Sequence, residues 1–135
     1  MSPRKPIKTR RINWEDNEQR ALIIWFRQHY PEQFDHAFHV PNGGKRGKVE
    51  GAIFKAMGTK AGVPDLLILY PVGKFHGMAL ELKATPPKDS AVSKPQKEWL
   101  ERLSSQGYHA VLCKGVVAAK HAIKNYLEGS LDHNG

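Results

Sequence analysis

The fold is decided by residues 62–83, which read GVPDLLILYPVGKFHGMALELK. Residues 65–70 are an almost continuous apolar run, which is typical of a short strand that is buried on both faces. Residues 71–74 contain a proline and a glycine and predict the start of a turn. Residues 78–83 then predict a returning strand. We therefore expect this segment to form an antiparallel hairpin.

The predicted hairpin gathers two acids and a lysine. Side chains alternate faces along a strand, so Glu81 and Lys83 share one face. Asp65 begins the preceding strand, directly after Pro64, and in a hairpin it lies near the same end as Glu81. Convergent carboxylates beside a lysine predict a Mg²⁺ site, which Mn²⁺ can also fill. The plainer interpretation, favoured by Glu81-Leu82-Lys83 alone, is an ion pair on a solvated face, with Asp65 ending a turn.

Hydrophobic periodicity predicts further elements around the hairpin. A first helix should begin at the N-cap Asn13 and end before Pro31, and another should begin at Ser93, whose spacing to Gln96 suits a capping box. The remaining predictions are a strand within 34–40, a helix over 48–57 with an apolar stripe, a strand over 108–113 and a helix over 116–127. The order α-β-α-β-β-α-β-α indicates a mixed sheet flanked by helices, in the α/β or α+β class, of which we take α/β as the prediction.

Length and composition suit one domain. The chain has 135 residues, and we expect a flexible basic arm over 1–12, a single domain over 13–128 and a tail over 129–135. No stretch suits a membrane span, and no apolar segment follows the basic N-terminus as in a secretory signal. The single cysteine, Cys113, excludes an internal disulfide framework and a cysteine-based zinc site and is expected to fill the core. A cytoplasmic protein fits best.

The net charge of +8 favours a polyanionic partner. Basic residues crowd into an N-terminal cluster and a glycine-rich turn: Arg4, Lys5, Lys8, Arg10 and Arg11, then Lys45, Arg46 and Lys48. These side chains are either phosphate contacts or solvated surface charges. The turn is not a P-loop, because it lacks the glycine, lysine and hydroxyl order of that motif.

Four short motifs in a fixed order carry a resemblance to a known family. They are Gly62-Val63-Pro64-Asp65-Leu66, Glu81-Leu82-Lys83, Ser93-Lys94-Pro95-Gln96-Lys97-Glu98-Trp99-Leu100 and Gly107-Tyr108-His109-Ala110-Val111. Together they resemble the PD-(D/E)XK nuclease superfamily and, more closely, its VRR-NUC branch, from about residue 14 to about residue 127. The resemblance implies a metal-dependent endonuclease built on a mixed sheet. It also implies that Asp65, Glu81 and the backbone carbonyl of Leu82 bind the metal, while Lys83 contacts the attacking water or the scissile phosphate.

The resemblance extends to residues outside the hairpin. Glu18 matches an acidic residue on the first helix, which would be catalytic and a further metal ligand, and Gln96 matches a catalytic glutamine. Glu18 also falls on an apolar helix face, where a carboxylate is costly unless it is paired or bound to metal. The alternatives are that Glu18 reaches solvent at the edge of that face and that Gln96 only caps its helix. His39 and Asn42 match a segment near the family's active site and are predicted DNA contacts, although a histidine at a strand end is often structural.

These observations predict a Mg²⁺-dependent DNA endonuclease. Small stand-alone proteins of this type resemble enzymes that resolve four-way (Holliday) junctions, often from phages, and this resemblance implies branched DNA as the substrate and a host cytoplasm for a phage protein. A two-fold symmetric junction suits a homodimer. The alternatives are a non-catalytic DNA-binding module on an inactivated nuclease fold, an enzyme acting on RNA, and a flap or duplex nuclease of a repair or restriction system. Inactivated folds usually lose a metal-binding acid or the lysine, and this chain keeps them.

Overall fold

A four-stranded sheet with helices on both faces forms the part of the chain that the computed structural model describes, residues 13–41 and 47–131. The α/β class and the sheet flanked by helices are confirmed, and a short helix comes in addition to the predicted elements. In chain order the elements are α1 (Trp14–His29), α2 (Pro31–Phe34), β1 (Ala37–His39), α3 (Lys48–Ala56), β2 (Leu66–Ile68), β3 (Met78–Lys83), α4 (Lys94–Ser105), β4 (His109–Lys114) and α5 (Val116–Leu127).

The sheet has the strand order β1-β2-β3-β4. β2 and β3 pair antiparallel, with Leu66 opposite Leu80, so the predicted hairpin is confirmed. β3 and β4 pair parallel, with Leu80 opposite Val111, and α4 makes the crossover that a parallel pair requires. Because β3 lies between two neighbours and beneath helices, all six of its residues are buried.

Two strands are shorter than the sequence suggested. Phe34 belongs to α2 and not to the strand predicted within 34–40, because Pro31 occupies the first turn of that helix, where its missing N–H costs nothing. The strand predicted over 65–70 is confined to β2, although the Leu69 N–H still donates to the His36 carbonyl at 2.8 Å.

The core lies between one sheet face and the helices α1 and α5. Their fully buried side chains pack against Met78, Leu80 and Leu82, and these helix residues are Leu22, Phe26, Ala119, Ile123 and Tyr126. Alternation along β3 turns Glu81 and Lys83 to the opposite face, where α4 covers them. β3 therefore packs against apolar side chains on one face and makes polar contacts with α4 on the other.

The apolar stripe of α3 lies on the surface, whereas those of α1 and α5 are buried. Val49, Ile53 and Met57 are 76%, 53% and 73% exposed.

Two residues near the C-terminal end of the described chain contribute to the core. Cys113 fills the core in β4, as predicted, and Leu131, from the predicted tail, packs against the core. Within the described residues, no helix has the length and hydropathy that crossing a membrane would require.

Candidate functional site

Asp65 and Glu81 lie opposite each other at one end of the β2–β3 hairpin. Leu66 pairs with Leu80, so the next step of the same antiparallel register places Asp65 beside Glu81. Asp65 Oδ2 accepts a hydrogen bond of 2.8 Å from the Leu82 N–H, which holds this carboxylate against β3. The structure thus brings together the two acids that the sequence proposed as metal ligands.

The Glu81 carboxyl is enclosed but incompletely satisfied. Glu81 is only 2% exposed, and its Oε1 accepts a hydrogen bond of 3.0 Å from Gln96 Nε2. Its Oε2 is buried, and in the ionised form it has no hydrogen-bond donor among the described residues. Burial, followed by the charge of Asp65 and by the hydrogen bond that a protonated Glu81 makes with that carboxylate, raises the pKa of Glu81 from 4.5 to about 8. A buried carboxyl of this kind has unused capacity to bind a cation.

Lys83 brings a positive charge to the same enclosed space. The residue is 4% exposed, and its Nζ lies 4.0 Å from Glu81 Oε1. The ammonium donates to Gln96 Oε1 at 3.0 Å and to Ser90 Oγ at 3.3 Å. Sequence reasoning missed Ser90, because nothing in the loop between β3 and α4 marks one serine above the others.

Gln96 joins the helix α4 to this site. Its Oε1 also accepts from the Ser93 N–H at 2.9 Å, while its own N–H donates to Ser93 Oγ at 3.3 Å, which completes the predicted capping box. Capping and contact with the site, which the sequence offered as alternatives, therefore occur together. The loop before Asp65 packs against the same helix end, because a Cβ on Gly62, whose φ is 82°, would lie 2.5 Å from the Pro95 carbonyl carbon.

Glu18 occupies a different contact from the one predicted for it. Its Oε2 accepts from the Thr85 N–H at 2.7 Å, and its Oε1 accepts from Thr85 Oγ1 at 2.5 Å and from the Val116 N–H at 3.1 Å. Partial burial would raise the pKa of Glu18, but these hydrogen bonds lower it overall. The predicted catalytic and metal-binding role gains no support from this arrangement, because both oxygens already tie α1 to the end of β3 and to the start of α5.

Glu15 is the acid of α1 that the structure places near the hairpin carboxyls. Burial and the charge of Asp65 raise the pKa of Glu15, and the charge of Lys83 lowers it. Glu15 in turn contributes to the raised pKa of Glu81. The sequence signal was present, since Glu15, Asp16 and Glu18 all lie early in α1, but spacing alone did not show which acid faces the sheet.

The predicted DNA contacts are only partly described. His39 is exposed, and its Nδ1 lies 2.9 Å from the Asp65 carbonyl oxygen, so this nitrogen is the donor and His39 borders the site. Lys48 is exposed at the first residue of α3. The remaining predicted contacts lie outside the described residues: Arg10, Arg11, Asn42, Lys45 and Arg46.

The donors at this site suit a hard divalent cation. Within residues 13–41 and 47–131, no three His, Cys, Asp or Glu side chains form a complete metal-binding group. Mg²⁺ commonly keeps several waters and takes only one or two protein carboxylates. The unpartnered Oε2 of Glu81 beside Asp65 fits such an ion, and Leu82, whose carbonyl the sequence proposed as a third ligand, lies between the two site residues of β3.

Comparisons with known proteins place this geometry in context. Residues 11–117 match the VRR-NUC domain. A solved structure described as a VRR_NUC domain protein resembles the chain with a TM-score of 0.75 and 33% sequence identity, over 87% of this chain and 91% of the other. No curated protein matches the chain.

Proposed function

The chain belongs to the VRR-NUC family, and we propose from this premise that it is a Mg²⁺-dependent DNA endonuclease. The observation that carries the proposal is the Glu81 carboxyl. It is buried beside Asp65, keeps one oxygen without a partner among the described residues, and lies 4.0 Å from the Lys83 ammonium. A fold seldom keeps so costly an arrangement unless a ligand completes it.

Each residue of the site has a chemical task in this proposal. Asp65 and Glu81 would hold the ion, which when bound lowers the pKa of water and offsets phosphate charge. Lys83, held by Gln96 and Ser90, would stabilise negative charge that develops on the phosphate. Glu15, whose carboxyl is electrostatically coupled to Asp65, would orient a water or a second ion in the role first predicted for Glu18.

A branched DNA substrate and a homodimer belong to the same proposal. The nuclease fold and the net charge of +8 favour a nucleic-acid partner. One site cuts one strand, so paired cuts across a four-way junction call for two copies related by a two-fold axis. The exposed apolar stripe of α3 offers a surface for such a contact.

The proposal is tested by metal-dependent cleavage of a DNA panel that holds a four-way junction, a flap, a duplex and a single strand. We expect cleavage with Mg²⁺ or Mn²⁺ and none with excess EDTA. Asp65→Asn should lower the cleavage rate by at least about 100-fold, because the amide can still accept from the Leu82 N–H but cannot neutralise a cation. Asp35→Asn, the same change at an exposed turn residue, is the matched control.

Two results would contradict the proposal. Cleavage that persists in EDTA would exclude a metal mechanism. DNA binding without cleavage of any substrate, in either metal, would favour the non-catalytic DNA-binding module. Light scattering at micromolar concentration tests the homodimer separately, and a monomer that cuts flaps but not junctions would remove only the branched-DNA part.

A further inference from the structure

Trp14 is a large aromatic side chain that the fold leaves 46% exposed. It lies at the first residue of α1, directly after the N-cap Asn13. The two other tryptophans are half-buried, and the indole of Trp99 donates to the Ala61 carbonyl at 3.1 Å. Trp14 is not among the residues that pack into the hydrophobic core. Packing among the residues that the structure describes therefore does not account for a tryptophan at this position.

The position of Trp14 on α1 places it at the border of the candidate site. The next residue, Glu15, is electrostatically coupled to Asp65 and to Lys83. One turn further along the same face of α1, Glu18 holds Thr85 through two hydrogen bonds. The start of α1 is thus fixed to the segment that leaves β3 directly after Lys83.

Lys88 supplies a positive charge beside the exposed indole. Its Nζ lies over one face of the Trp14 ring, 5.9 Å from the ring centre, so a base would stack on the other face. The backbone N–H of Lys88 donates to the Thr85 carbonyl at 3.0 Å, which fixes the local backbone. An aromatic face with a neighbouring cation is the arrangement that proteins use to stack a base and attract its phosphate. The pair is exposed, as such a binding surface requires.

We propose that Trp14 and Lys88 form a stacking surface for an unpaired nucleobase of the DNA strand that enters the site. This inference rests on the proposed nuclease function and narrows its substrate class. A base inside an intact duplex is already stacked on both faces, so it cannot cover the indole. A flap or a gap can present a free base to Trp14 while the strand's backbone reaches Lys83, and a four-way junction can do so where the pairs at its crossover have opened. The surface thus selects DNA that carries unpaired nucleotides beside the cleaved bond.

Equilibrium binding in EDTA tests the inference without any cleavage. Two DNAs of equal length are compared: a fully paired duplex, and a duplex with an unpaired arm that carries one 2-aminopurine. Trp14→Ala should weaken binding of the armed DNA by roughly 5- to 150-fold, the range that loss of one stacked base gives, and binding of the duplex by less than about twofold. Wild type should quench the 2-aminopurine, Trp14→Phe should retain most of both effects, and Trp14→Ala should lose them.

The chain offers matched controls for both residues. Ile24→Ala removes another exposed apolar side chain of α1. Lys120→Ala removes a lysine from a half-buried pair of the same kind, in which its Nζ lies 6.0 Å from the ring centre of Trp25. Lys88→Ala should weaken binding of the armed DNA more than Lys120→Ala does, although both remove one charge.

Several outcomes would overturn the inference. Equal losses on the two DNAs, no loss with Trp14→Ala, or equal effects of Lys88→Ala and Lys120→Ala would each contradict it. Failure of the proposed function looks different, because it appears as a wild-type protein that binds DNA and does not cleave it with Mg²⁺.

Discussion

Two glutamates differ in the direction of their pKa shifts: Glu18 is partly buried and Glu81 is fully buried. Glu18 receives three hydrogen bonds from Thr85 and Val116, and its pKa is lowered. Glu81 receives one from Gln96, keeps an unpartnered oxygen and has its pKa raised to about 8. The first carboxylate is complete within the described fold, whereas the second is not.

The difference between the two carboxyls suggests a structural role for one and a ligand-binding role for the other. A carboxylate whose donors all come from its own chain stabilises the contact it makes. A buried carboxyl that faces a second acid is held there at a cost, and that cost is recovered when a cation binds. We therefore expect Glu18 to stabilise the fold and Glu81 to serve the proposed chemistry, and the two residues can be tested against each other.

The largest expected effect is on cleavage. Glu81→Gln should lower the Mg²⁺-dependent cleavage rate by at least about 100-fold, because a neutral amide cannot hold a divalent cation. Glu18→Gln, the same change in the other contact, should lower it by less than about tenfold. Single-turnover rates with saturating enzyme measure both. A larger loss from Glu18→Gln than from Glu81→Gln would reverse the assignment.

The next effect is on stability in the absence of metal. The pKa of Glu81 in the folded protein is about 8, above its ordinary value of 4.5. The contribution of Glu81 to the free energy of unfolding is therefore fully present below about pH 4.5 and is lost as pH rises through 8. Glu81→Gln removes that loss and should raise the free energy of unfolding by about 1–3 kcal/mol at pH 8.5. The gain should shrink towards pH 5. Urea unfolding in EDTA measures it, and a destabilised variant at pH 8.5 would contradict the raised pKa of Glu81.

The smallest effect has the opposite pH dependence. The pKa of Glu18 is lowered from 4.5 in the folded protein, so its stabilisation is present above pH 4.5 and is lost as pH falls through the folded-state pKa. Glu18→Gln should lower the free energy of unfolding by about 0.5–1.5 kcal/mol at pH 7, and the difference should narrow in acid. Glu32→Gln, an exposed acid in the first turn of α2, is the control. Equal unfolding of the Glu18 and Glu32 variants at pH 7 would show that the contact is not stabilising.

Much of the hairpin and its acids could be predicted from sequence, because the period of a strand is two and its faces are unambiguous. Asp65, Glu81 and Lys83 lie where alternation and the turn place them. The choice between Glu15 and Glu18 could not be predicted in the same way. Both lie early in α1, and which of them meets the sheet depends on the rotation of the helix, which is set by the packing of Leu22 and Phe26.

The burial of apolar helix faces is a second feature that could not be predicted from the sequence alone. The stripe of α5 is covered, with Ala119, Ile123 and Tyr126 buried, whereas that of α3 is exposed at Val49 and Met57. Periodicity identifies an apolar face, but it does not show whether the same chain covers that face. The cover depends on the path of the chain, and for α3 another molecule is the candidate.

Gln96 couples the candidate site to the N-terminal end of α4. Its side chain closes the first turn of α4 and also holds both Glu81 and Lys83. Helix ends open more readily than cores, by local fluctuations that leave the rest of a protein intact. Each opening of this turn would remove the Gln96 contacts to the lysine and to the glutamate together. We therefore expect warming to lower the activity of the site while the sheet and its core are still folded.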